Sequence, residues 1–138
     1  MPNFASSSDL AEAIEDGQSP SLAVRAVVGP RLAAHAGIAS AAAVLERLLL
    51  DPEDTFVTRQ TAEAFLKQRS LSAVRLVARA LAHADDTYGD WLLTAVYDVI
   101  SPPGEALREI STMCAALADD PDRDVRRGAA ELAAWMST

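Results

Sequence analysis

Few side chains in this sequence are of the kinds that carry out chemistry, and their spacing limits what they can do. There is one cysteine, Cys114, and there are two histidines, His35 and His83. The histidines stand far apart and neither repeats a C-x2-C or H-x3-H ligand spacing, so no metal site is expected. Cys114 falls in an apolar stripe with Leu107, Ile110 and Leu117, where burial raises a thiol's pKa and silences it as a nucleophile. No nucleophile stands beside a base and an orienting acid, no carboxylate pair has the setting for a raised pKa, and no glycine-rich turn could cradle phosphate. The expectation is a protein with no catalytic residue and no cofactor. What remains is a set suited to binding, Arg59, Glu63, Tyr88, Asp90, Tyr97, Arg127 and Glu131, since arginine and aromatic side chains are enriched at the centres of protein interfaces.

The elements that must position these residues follow from composition. With 138 residues the chain is long enough for one domain that buries about two-thirds of its unfolded surface. Half of it is hydrophobic but only 5% is aromatic, and alanine is the commonest residue. Such small apolar side chains favour helix and let helices approach closely. The net charge of −8 has the wrong sign for a surface that neutralises phosphates, so nucleic acid is not an expected partner. No uncharged apolar run of about 18 residues is present, and the start Met1-Pro2-Asn3-Phe4 has neither a basic nor an apolar leader segment. A cytoplasmic protein with no membrane contact is expected.

Acidic turn residues recur at nearly equal intervals, at Asp16, Asp51, Asp85 and Asp119. A helical stretch precedes each: Leu10 to Ile14, Ala39 to Leu50, Leu71 to Ala82, and Glu105 to Ala118. Another follows each: Leu22 to Val28, Val57 to Leu66, Trp91 to Ile100, and Val125 to Met136. Apolar residues lie on one helical face in Leu71, Val74, Ala78, Leu81 and in Leu92, Val96, Val99. Ser101-Pro102-Pro103-Gly104, Asp51-Pro52 and Asp120-Pro121 mark the turns. From Gly29-Pro30 to Gly37 the second helix either kinks or ends. The fold class is therefore all-α, about eight helices in four hairpins within a single domain 1–138, with units at about 8–36, 38–69, 71–101 and 103–138.

One segment, LADDPDRDVRRGAA from Leu117 to Ala130, resembles the turn of HEAT repeats, in which Asp-x-x-x-x-Val-Arg is followed by small residues. LLLDPEDTFVTRQTAEAF from Leu48 to Phe65 is similar, with one extra residue and Thr58 at the arginine position. Ser21 to Val27 keeps Val24-Arg25, whereas the third unit has Trp91-Leu92 there. The resemblance implies a short α-solenoid. It also implies a structural ladder between the turn aspartate and the arginine six residues on, as in Asp120 with Arg126, to which Arg25 would also belong.

In HEAT-like solenoids the second helices line the concave face. Steps of one repeat place Arg59, Leu93 and Arg127 in one column and Glu63, Tyr97 and Glu131 in the next, a mixed face suited to another protein. Twelve of the 20 acidic residues fall in the turns within the hairpins. They would either cap helices or form an acidic edge that steers a basic partner. Trp91 and Trp135 are expected to pack inward, Trp135 onto Leu132 and the preceding hairpin. The expected function is a non-enzymatic protein-binding or scaffold module, with an immunity- or inhibitor-type protein as its more specific form. The alternative is an enzyme related to HEAT-like DNA glycosylases, for which Arg59, Arg127, Tyr97 and Glu63 would be the working set.

Overall fold

The computed structural model describes residues 7–51, 53–101 and 103–137. Pro52 and Pro102, expected in turns, and the start Met1-Pro2-Asn3-Phe4 lie outside the described residues. Among the described residues eight α-helices follow one another: α1 (Ser7–Asp16), α2 (Leu22–Leu32), α3 (Ala39–Leu49), α4 (Thr55–Gln68), α5 (Leu71–His83), α6 (Asp86–Ile100), α7 (Glu105–Ala116) and α8 (Arg123–Met136). Short 3-10 turns, Ala33–His35 and Leu117–Asp119, extend α2 and α7. Among the described residues there is no strand, and no helix is long and apolar enough to cross a membrane.

Helix starts are set by side-chain caps. Ser21, Asp54, Asp85 and Asp122 accept hydrogen bonds from the free N–H groups of α2, α4, α6 and α8, and Ser70 does the same for α5. Because Asp85 is the cap, α6 begins well before the Trp91 expected from apolar spacing. Pro30 does not end α2. The helix runs through it to Leu32, with Gly29 packed so closely on α4 that a Cβ would overlap the Thr61 hydroxyl. The helix does not end at Gly29-Pro30, one of the two outcomes its sequence allowed, and the missing side chain of Gly29 makes the close contact with α4 possible.

The core is one continuous apolar cluster that runs from Ala13 in α1 to Leu132 in α8. Leu45, Leu49, Phe65, Leu66, Leu92, Ile110 and Leu132 are wholly buried within it. Burying a side chain of that size contributes about 1.5–3 kcal/mol. α2 packs along α4, and α4 along α6, so the second helices of the first three hairpins lie side by side. α8 leaves this row. Its main neighbour is α5, the first helix of the preceding hairpin, where Gly128 lets the backbones meet: a Cβ there would overlap the Ala78 carbonyl oxygen. The stripe Val125, Gly128, Ala129 and Leu132 is the buried face of α8. Among the described residues, the flank of α6 away from α4 therefore has no second helix packed along it.

Candidate functional site

The turns are tied together by arginines. Arg25 donates from Nε and Nη2 to the two Asp51 carboxylate oxygens at 2.8 and 3.3 Å, and from Nη1 to the Ser19 carbonyl at 2.8 Å. Arg126 donates to the Asp120 carbonyl at 2.7 Å. Both arginines thus bond the carbonyl six residues back, one in the first hairpin and one in the last. The Asp120 carboxylate is held instead by Arg75 of α5, at 2.8 and 3.1 Å. The expected Asp120–Arg126 ladder is therefore corrected in its detail: Arg126 meets the backbone, and Arg75, from the preceding hairpin, supplies the ion pair. The Arg75 hydrogen bond holds the Asp120 carboxyl below the usual range, while Asp51 keeps the Arg25 guanidinium above its ordinary value.

The turn carboxylates accept from backbone N–H groups in matching ways. Asp51 binds the N–H of Glu53 and Asp54, and Asp120 binds that of Asp122. The caps that follow are Asp54 and Asp122, three and two residues on, which accommodates the extra residue noted in the second unit. Thr58, at the arginine position of that unit, is buried. Tyr88, singled out from sequence as a partner residue, is half-buried and its hydroxyl donates to the Asp51 carbonyl. Burial and nearby carboxylates push its phenol upward in pKa.

Of the twelve acidic residues in the turns, eight have internal partners. Asp16 pairs with Arg31, Asp51 and Glu53 with Arg25, Asp120 with Arg75, Asp122 with Arg79, and Asp124 with His83, while Asp54 and Asp85 cap helices. Among the described residues, the carboxylates of Glu15, Asp86, Asp90 and Asp119 carry no ion pair or hydrogen bond. The edge is thus mainly a capping and pairing device.

On the second-helix row, Arg59 of α4 reaches α6. It bonds Asp98 at 2.6 Å and its own-helix neighbour Glu63 at 3.1 Å, and lies 5.9 Å from the Trp91 ring centre. Asp98, more than Glu63, holds this guanidinium in its charged form. Arg127 departs from the column drawn through Arg59 and Leu93, because α8 lies on α5; it caps that helix by donating to the Ala82 carbonyl at 2.7 Å. Glu131 is exposed on α8.

The open flank of α6 carries a groove of about 290 Å³ lined by Asp90, Leu93, Thr94, Tyr97 and Trp135. Asp90 and Tyr97 come from one helix face, two turns apart. Tyr97 is 57% exposed, the most open large hydrophobic side chain among the described residues. Thr94 donates to the Asp90 carbonyl at 2.8 Å, leaving the Asp90 carboxylate to solvent. Trp135 comes from the last turn of α8, packs against the core with part of its surface and closes the far side. Asp90 and Tyr97 are thus brought together with Trp135, whereas Tyr88, Arg59, Glu63 and Arg127 serve other contacts. The sequence reading has Leu93 on the expected face without selecting it, packs Trp135 inward onto Leu132 and leaves Thr94 aside, because the column rule carries α8 alongside α6. Gly128, a glycine inside a helix, was the signal that α8 packs closely elsewhere.

Two other depressions are less suited to a ligand. A space of about 150 Å³ borders Arg25 and Asp51, whose polar atoms are already paired. A wider one of about 600 Å³, between α3 and α5, is bordered by Glu46 and Arg79, which bind one another at 3.0 Å. Cys114 is buried at 2% exposure, and burial pushes its thiol up to about 11. Among the described residues no group of three metal-binding side chains converges. Compared with known proteins, the chain matches no protein-family model, and no curated protein or solved structure is significantly similar to it.

Proposed function

We propose that this chain is a non-enzymatic binding module of HEAT-like build whose partner is another protein, and that the contact surface centres on the groove between α6 and α8. The observation that carries this is the open α6 flank, where Asp90 and Tyr97 converge with Trp135 and the Asp90 carboxylate serves neither a helix cap nor an ion pair. An exposed tyrosine beside a half-buried tryptophan, with an acid at the rim, suits the centre of a protein interface. The HEAT-like build is supported by the matching arginine-to-carbonyl bonds of Arg25 and Arg126 at equivalent turns. The DNA-glycosylase reading is weakened because Arg59, its main cation, is held by Asp98 and Glu63.

Parallel affinity captures test the proposal, using as baits the wild-type chain, Tyr97→Ala, and Lys67→Ala as an exposed control away from the groove. A protein retained stoichiometrically by wild type and Lys67→Ala but lost from Tyr97→Ala is expected. Retention of the same protein by all three baits would place the interface elsewhere.

A further inference from the structure

Each flank of α6 carries a carboxylate and an aromatic ring two helical turns apart, in opposite order along the helix, but only the flank facing α4 has a guanidinium joining them. On the flank facing α4, a carboxylate (Asp98) and an aromatic ring (Trp91) stand two helical turns apart, and a guanidinium from Arg59 lies over the ring while bonding the carboxylate at 2.6 Å. On the open flank, a carboxylate (Asp90) and an aromatic ring (Tyr97) again stand two turns apart, with the Trp135 ring forming the opposite wall. Among the described residues, no arginine or lysine lines that groove. Its volume, about 290 Å³, falls just short of the roughly 300–1,000 Å³ range of small-molecule pockets. It has room for one long side chain.

We infer that this groove binds an arginine side chain presented by an exposed segment of a partner protein, with the guanidinium paired to Asp90 and stacked against Tyr97 and Trp135. This deepens the reading of the groove given above and rests on it. The ring faces carry negative quadrupole charge and attract a weakly hydrated cation, and the carboxylate matches the planar fork of guanidinium better than a point charge. The net charge of −8 favours a basic segment over an acidic one during encounter. Arginine is therefore preferred over lysine, and a neutral isostere lacks the attraction.

The test uses the full chain, labelled with nitrogen-15, titrated with a short blocked peptide that has one central arginine between serines. Matched peptides carry citrulline or lysine instead. The indole N–H signal of Trp135, identified by its loss in Trp135→Phe, and the amides of residues 90–97 should shift with the arginine peptide. Citrulline should bind roughly fivefold or more weakly, and Asp90→Asn and Tyr97→Ala should each weaken the arginine peptide by a similar factor. The inference is overturned by an unmoved Trp135 indole at millimolar peptide, by equal binding of the citrulline peptide, or by Asp90→Asn binding as wild type does. Shifts of these signals with protein concentration alone would assign the groove to a second copy of this chain and overturn it too. If a captured partner depends on Tyr97 while the arginine peptide fails, the arginine inference falls and the binding-module reading stands.

Discussion

Arg25 and Asp51 form a two-pronged ion pair that joins the second helix of the first hairpin to the turn of the second, with 6% and 1% of the respective residues exposed. The pair is completed by the Ser19 carbonyl on one side and by the Glu53 and Asp54 N–H groups on the other, so little of its hydrogen-bonding capacity is unmet. Removal of one partner strands the other charge in the interior. Asp51→Ala is expected to destabilise the fold by about 3–5 kcal/mol, measured as a shift in urea midpoint at unchanged slope. A loss under about 1 kcal/mol, the worth of an exposed pair, would show that Arg25 and Asp51 are solvated.

Gly128 is the point at which α8 lies on α5, and a methyl group there has only the Ala78 backbone to displace. Gly128→Ala ordinarily gains helix propensity of about 1 kcal/mol. Here it should cost about 1–3 kcal/mol or more through overpacking, read from the thermal midpoint by circular dichroism. A stabilised variant would mean that α8 does not pack on α5 as described.

Acid should weaken the molecule through the α5–α8 junction. Asp120 and Asp122 both have carboxyls held below their usual range, Asp120 chiefly by the Arg75 hydrogen bond and Asp122 chiefly by the backbone N–H of Asp124. The unfolded chain then binds protons more readily than the folded one. The stability these groups contribute is fully present above the ordinary carboxylate pKa of about 4 and is lost as pH falls through their depressed folded values. Arg75→Gln should flatten the decline of the urea midpoint below about pH 4. An unchanged slope would remove Arg75 as the cause.

Cys114 offers a probe of core integrity. Its thiol, raised to about 11 by burial, remains protonated at pH 8 and is shielded from reagents. Labelling by a disulfide reagent at pH 8 should be slow in buffer and rapid in denaturing urea. Rapid labelling of the native protein would place Cys114 at the surface.

Much of this architecture was legible because helices advertise themselves twice, in apolar spacing and in caps. The apolar stripe Val74, Ala78, Leu81 is buried as its spacing required, and Ile110, Cys114 and Leu117 likewise, although Leu71 is 47% exposed at the first turn of α5. The turn aspartates Asp51, Asp85 and Asp120 mark real junctions. The path through Gly29-Pro30 was not legible, since local rules describe a proline's cost and not the close contact with Thr61 that accompanies it. The site was half legible. Asp90 came from the acidic turns and Tyr97 from the repeat columns, two separate readings whose residues the structure places on one face of α6. Trp135 reaches them from the last helix of the chain, and its position depends on how α8 crosses α5, a tertiary choice that the period of the turns does not encode.

Amide chemical-shift mapping of the labelled chain with the captured partner tests most directly whether the α6–α8 groove is where a partner protein binds. The largest changes are expected at residues 90–97 and at the Trp135 indole, and they should disappear in Tyr97→Ala. Changes centred on α3 and α5, with the Trp135 indole unmoved, would contradict it.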